Sequence, residues 1–241
     1  MRAMALLVAL TALPASAQET VRPGDGLLPF DENRRIAEAT DYPWSAIGRL
    51  NIARRGHCTA VLVAETRLLT AAHCLFDRRT GRFVEAEDLH FLAGYQRGDF
   101  LKHVRASDYH VADGFDPAIG RPTPHDWALI DLTEPAGRPL PVRRRDAGDL
   151  PAALVQAGYH TNRPHVLSVT HGCAGLGTQA RLALHDCWIA GGDSGSPLLE
   201  QDEAGYALIA LNIAIRQRPG QNEPVGLAIP SAQFWTAVTA R

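Results

Sequence analysis

The segment Cys187-Trp188-Ile189-Ala190-Gly191-Gly192-Asp193-Ser194-Gly195-Ser196-Pro197 sets one serine among three glycines. A serine hydroxyl attacks an acyl carbon at neutral pH only with help. It needs a base within hydrogen-bond reach, an acid that fixes the base's tautomer, and N–H donors aimed at the developing oxyanion. Gly192 and Gly195 let the backbone turn sharply around Ser194. A glycine at 192 also lets its N–H point inward beside that of Ser194, so Gly192 and Ser194 are the candidate oxyanion hole. Loss of one such donor raises a barrier by about 2.7 to 4 kcal/mol. Taken alone, the segment reads equally as a flexible hairpin without chemistry, so its partners decide.

Of the ten histidines, His73 has the most informative setting: it follows the apolar run Leu69-Thr70-Ala71-Ala72 and adjoins Cys74. The candidate acid is Asp126, just ahead of Trp127-Ala128-Leu129-Ile130, where partial burial suits a carboxylate that accepts the imidazole N–H. Asp131 alternates onto a strand face, and Asp108 and Asp116 sit in loops, so they are weaker choices. The four cysteines allow three disulfide pairings. The sequential pairing is the expectation: Cys58 with Cys74, and Cys173 with Cys187. The first of these would tie the loop holding His73 to the preceding strand. A His2Cys2 zinc site built from His171, Cys173, His185 and Cys187 competes, but ordinary zinc ligands are spaced differently, and export favours disulfides. No metal and no organic cofactor is expected.

Export is read from the start, MRAMALLVALTALPASAQET: a charge at Arg2, an apolar run, then Ala15-Ser16-Ala17, the pattern of a signal segment over residues 1–17. The apolar run is too short to span a bilayer, so a secreted or periplasmic protein is expected. The formal net charge of −2 gives no electrostatic footprint for nucleic acid or an anionic membrane. Lys102 is the sole lysine among 24 basic residues, an arginine bias of the kind found with GC-rich bacterial genomes.

These residues need a scaffold of strands. Residues 18–35 are polar and broken by Gly and Pro, and read as a pro-segment or an extended arm. Short apolar runs then follow (CTAVLVA, RLLTAA, WALIDL), and a second set (AALVQAGY, HVLSVT, GYALIALNIAI) comes after the arginine-bearing link EPAGRPLPVRRRDAGDLP. Arg143, Arg144 and Arg145 read as a solvated crossing. Two strand groups joined by a link predict an all-β fold of two barrels, residues 36–135 and 136–241, with the site in the cleft between them. At the end, Ser231 is positioned to cap a short helix whose Phe234, Trp235 and Val238 face the body.

Together, Thr70-Ala71-Ala72-His73-Cys74, Asp126-Trp127-Ala128-Leu129 and Gly192-Asp193-Ser194-Gly195-Ser196-Pro197 resemble the chymotrypsin/trypsin superfamily of serine endopeptidases. The order His, Asp, Ser separates it from α/β-hydrolase esterases, whose order begins with Ser and whose elbow needs Gly where this chain has Ser196. The resemblance implies two antiparallel six-stranded barrels, a His73–Asp126–Ser194 triad, hydrolysis through an acyl-enzyme, protein or peptide substrates and a monomer. Its details look closer to the bacterial branch that includes glutamyl endopeptidases. A catalytically silent binding or scaffold protein on the same fold is the alternative.

Against the animal branch, Cys187 stands seven residues before the nucleophile instead of four, and the pocket-floor position falls on Trp188, so Asp186 is out of register for binding Arg or Lys. Glutamyl endopeptidases use a pocket histidine on the strand after the nucleophile; this chain has Asn212. The candidate pocket residues are therefore Trp188, Ile189 and Asn212, with plain core packing as the other reading of the first two. By analogy with the animal branch, a cut after Arg35 would free Ile36 to pair with Asp193; an uncut arm is the alternative.

Overall fold

The structure is a computed structural model that describes residues 34–217 and 224–240. The expected signal segment and nearly all of the 18–35 arm lie outside the described residues. Strand β1 (Arg35–Ile36) is followed by β2 (Ile47–Ile52), β3 (Gly56–Ala64), β4 (Arg67–Thr70), the small pair β5 (Phe76–Asp77) and β6 (Arg82–Phe83), then β7 (Leu89–Ala93), β8 (Lys102–Val111) and β9 (Ala128–Leu132). After the arginine-bearing link come β10 (Leu154–Gly158), β11 (Ser168–Cys173), β12 (Gly175–Gln179), β13 (Leu182–His185), β14 (Pro197–Asp202), β15 (Gly205–Gln217), β16 (Pro224–Pro230) and helix α1 (Trp235–Thr239).

The first unit is a closed antiparallel barrel in the order β2-β3-β4-β9-β8-β7. Period-two alternation decides which face each residue takes. On β8, Val104 and Ala106 point into the barrel while His103, Arg105 and Ser107 face outward. On β3 the whole run from Cys58 to Leu62 is buried, because its outer face packs on the second unit.

The second unit is an antiparallel sheet in the order β1-β11-β10-β14-β15-β16-β13-β12. It exceeds the expected six strands at its edges. Arg35 and Ile36 pair with Val169 and Ser168 of β11, and β12 extends the far edge through its hairpin with β13. Residues 35 and 36 thus join the second unit in space although they precede the first in sequence.

Two expectations change in the link and at the C-terminus. Arg143 and Arg145 both pair with the buried carboxylate of Glu200, and Arg143 also meets Asp202 at 2.7 Å, so the link is fastened to β14 and is not a solvated crossing. Ser231 does not cap α1: its hydroxyl donates to the Arg143 carbonyl at 2.6 Å and accepts from the Arg145 N–H at 2.8 Å. Phe234 is fully buried beside Trp127, ring centres 6.3 Å apart, and docks the helix on the first barrel. Among the described residues no helix is long and apolar enough to cross a membrane.

Candidate active site

His73 stands in a tight 3-10 turn, residues Ala72–Leu75, directly after β4. The Cys58–Cys74 disulfide staples that turn to β3. Asp126 holds the histidine from two sides: one carboxylate oxygen accepts the His73 backbone N–H at 2.8 Å and the other lies 2.7 Å from Nδ1. On the far side of the ring, Nε2 lies 2.8 Å from Ser194 Oγ. The carboxylate side chain is nearly buried (10% exposed) whereas the imidazole is 29% exposed. Asp126 can therefore fix the Nδ1–H tautomer in a shielded setting while the other ring face stays open to a substrate. Asp131 instead pairs with Arg67 at 2.7 Å, away from His73.

Ser194 is held in a turn that only glycine could flank. Gly192 has φ +90°, and a Cβ there would come within 2.4 Å of the Tyr159 carbonyl oxygen. Gly195 has φ +79°, and a Cβ there would meet Thr59 O and Thr70 Oγ1 at 2.3 Å. The turn presses directly against the first barrel. Thr59, the polar residue in an otherwise apolar stretch of β3, makes the junction. Its N–H donates to the Ser194 carbonyl at 3.0 Å and its hydroxyl donates to the Gly192 carbonyl at 2.9 Å. Its hydroxyl also accepts the Tyr159 N–H at 3.0 Å, while its own carbonyl accepts from Thr70 Oγ1 at 2.8 Å. The carbonyls that share peptide planes with the N–H groups of Gly192 and Ser194, those of Gly191 and Asp193, accept the Thr161 and Ser196 N–H groups at 2.6 and 2.8 Å.

Behind the turn, Asp193 is fully buried and receives Arg34 in a bidentate pair at 2.7 and 2.8 Å. In the uncut chain Ile36 is 45% exposed on the outer edge, and the partner of Asp193 is Arg34. Gln156 donates to Asp193 Oδ1 and to Ser196 Oγ, each at 3.2 Å. Asn212 braces the same turn: its side-chain N–H donates to Ser196 Oγ at 2.9 Å, and its carbonyl accepts the Gly195 N–H at 2.7 Å.

A cavity of about 130 Å³ opens beside Ser194, lined by Ile189, Ala190, Gly191, Asn212, Ile213, Ala214 and Ile215 among others. Ile189 and Asn212 are in its wall. Trp188 is not. Its carbonyl accepts from Arg34 at 3.1 Å, its ring stands edge-on to His160 with centres 5.1 Å apart, and the Arg34 guanidinium lies 5.5 Å from the ring centre. The residue that the sequence placed at the pocket floor is thus drawn behind the Ser194 turn.

His185 lies behind the cavity wall, fully buried, with its ring against Gly226, where a Cβ would come within 2.0 Å of Cε1. Burial pushes its pKa down to about 4, so it is neutral at pH 7. His160 is likewise pushed down to about 4, first by burial and then by the charge of Arg34. The Cys173–Cys187 disulfide consumes both thiols of the zinc alternative, and no cluster able to hold a metal occurs among the described residues.

Arg34, Thr59 and Gln156 were not picked out as site residues from the sequence, and His185 only as a member of the zinc alternative. Thr59 carried a signal, a single hydroxyl in an apolar strand one residue after a disulfide cysteine. Arg34 carried a misleading one, because Arg34-Arg35-Ile36 reads as an exposed processing site.

Comparison with known proteins agrees with this geometry. The trypsin family model matches residues 34–238. A glutamyl endopeptidase from Bacillus licheniformis is 25% identical over 126 residues, which is 52% of this chain and 37% of that protein; the chain thus matches little more than a third of that relative's length. Among solved structures, a Glu endopeptidase in complex with MPD superposes with a TM-score of 0.71 at 16% identity, covering 88% of this chain and 98% of that one. A thermostable serine protease from an extremophilic microorganism gives 0.62 at 20% identity, over 82% and 98%. Sequence, strand topology and the His, Asp, Ser order lead to one placement: the chain belongs to the trypsin family, as a trypsin-like serine protease close to the glutamyl endopeptidases.

Proposed function

We propose that the protein is an exported serine endopeptidase that cleaves peptide bonds after an uncharged, aliphatic residue. The observation that carries the reaction type is the unbroken hydrogen-bonded line from Asp126 Oδ2 through His73 to Ser194 Oγ, with steps of 2.7 and 2.8 Å. Ser194 Oγ attacks the scissile carbonyl carbon as His73 Nε2 takes its proton, and Asp126 stabilises the imidazolium that results. The carbonyl oxygen, now carrying the negative charge, sits between the N–H groups of Gly192 and Ser194. Collapse expels the amine, which takes the proton from His73; water then repeats the sequence on the acyl-enzyme.

Specificity is carried by the cavity beside Ser194. Its wall is built from Ile189, Ala190, Ile213, Ala214 and Ile215, and none of its lining residues is cationic. One of the two Asn212 side-chain N–H donors is committed to Ser196 Oγ, and the amide carries no charge, which leaves a substrate carboxylate without a charged partner there. A buried unpaired charge costs several kcal/mol. A larger groove of about 260 Å³ on the other side of His73 shares Ile213, Ala214 and Ile215 with this pocket. An extended substrate therefore fits along the edge of β15, bridging both.

A phosphonylating reagent for active-site serines is expected to modify Ser194, and Ser194→Ala is expected to abolish both labelling and peptide hydrolysis. Labelling that survives Ser194→Ala would refute the assignment. Digestion of a peptide mixture should give cuts mainly after Ala, Val or Leu. Cuts concentrated after Glu would instead show that Asn212, with His185 behind it, accepts a carboxylate.

A further inference from the structure

Arg34 is the largest fully buried side chain among the described residues. A guanidinium has five N–H donors in a fixed fork, and here each has a partner. Nε donates to Ser168 Oγ at 2.9 Å, Nη1 to Trp188 O at 3.1 Å and Asp193 Oδ2 at 2.8 Å, and Nη2 to Gly158 O at 3.1 Å and Asp193 Oδ1 at 2.7 Å. The site is built for this group. The backbone that delivers it is fixed by the pairing of Arg35 with Val169 and Ile36 with Ser168, and by the Ala37 N–H donating to Leu167 O at 3.1 Å. Asp193 is the hub of the oxyanion turn: its Oδ2 also accepts the Ala190 N–H at 3.0 Å, and its carbonyl accepts the Ser196 N–H at 2.8 Å.

We infer that Arg34 is a positioning residue for the proposed peptidase reaction: its side chain supplies the internal cation that holds Asp193 inward and so aims the N–H groups of Gly192 and Ser194, and the active protein must retain it. This rests on the serine-protease reading above. Because the cation comes from a side chain, pairing needs no chain end at this position, and no cut after Arg35 is required to create one. Such a cut would remove the cation. Trimming of the arm must therefore stop upstream of residue 34. Without Arg34, Asp193 would be a buried, uncompensated carboxylate; it would turn outward to water and carry the turn with it. A lysine could keep the charge but not the bidentate fork.

The test uses the exported, processed protein, with three readings. The first is the N-terminus of active material, identified as the species whose Ser194 the phosphonylating reagent labels. It is expected at or before residue 34, and active material beginning at residue 35 or 36 overturns the inference. The second is a pair of variants. Arg34→Ala is expected to lower kcat by at least about 100-fold with little change in KM, with partial recovery on adding guanidinium, whereas Arg35→Ala keeps wild-type activity. Folded Arg34→Ala with wild-type kcat, or Arg35→Ala that blocks activation, overturns it. The third, Arg34→Lys, also decides the matter if the alanine variant does not fold. The groups that titrate around the guanidinium are Asp193 and His160, with His57 beyond them, and none of these has its ordinary pKa in the alkaline range. Wild-type kcat should therefore hold from about pH 8 to about pH 10, and the lysine variant should lose activity as its ammonium, ordinarily near 10.4, gives up its proton. A lysine variant matching wild type in kcat and alkaline profile overturns the inference. Failure of the wild type to be labelled at Ser194 would count against the protease reading itself, and the N-terminal and folding results separate the two.

Discussion

Asp126 offers both carboxylate oxygens to His73, one to the backbone N–H and one to the ring. Asp126→Asn would retain the shape but favour the wrong imidazole tautomer, so kcat should fall about 10⁴-fold with the fold intact; circular dichroism alongside kinetics checks both halves. Gly192→Ala should be more disruptive, because the added methyl would strike the Tyr159 carbonyl and the positive φ disfavours any side chain. We expect activity loss of at least about 100-fold together with a lowered melting temperature. His73, Asp126 and Ser194 were legible in the sequence because each stands in a distinctive local string. Arg34 and Trp188 were not. Their roles depend on where a polar arm is laid against the back of the turn, and no local pattern encodes that contact.

The two disulfides act on the elements that carry the site. Cys58–Cys74 closes a span of 16 residues that includes β4 and the turn holding His73. Replacing both cysteines with alanine should cost about 3 kcal/mol of stability, measurable by urea denaturation, and should lower kcat as the turn loosens. The apolar runs announced nearly all the long strands. They could not announce β1, since two residues carry no period. The Ser231 cap failed for a different reason: the hydroxyl is taken by the Arg143 carbonyl and the Arg145 N–H, a long-range pairing that outcompetes the local one.

At the scale of the whole molecule, His160 and His185 are kept neutral by burial, each with a pKa near 4 against about 6.5 in the unfolded chain. Between those values the unfolded state binds more protons, so stability rises with pH across that window and is lost on acidification from 6.5 toward 4. The melting temperature should drop across this range, and His185→Gln should blunt the drop; an unchanged slope would refute this account. The two-barrel plan was legible from the grouping of strands and the link between them, but the way the halves meet was not. That meeting runs through Thr59, whose four hydrogen bonds join β3 to the nucleophile turn, to Tyr159 and to Thr70. The same contacts that hold the Ser194 turn therefore cross the seam between the halves. Any parting of the barrels disarms the molecule before either half melts, so in rising urea hydrolysis should cease at a lower concentration than the loss of β-sheet signal, and a wedge driven into that seam would inhibit without ever touching the cleft.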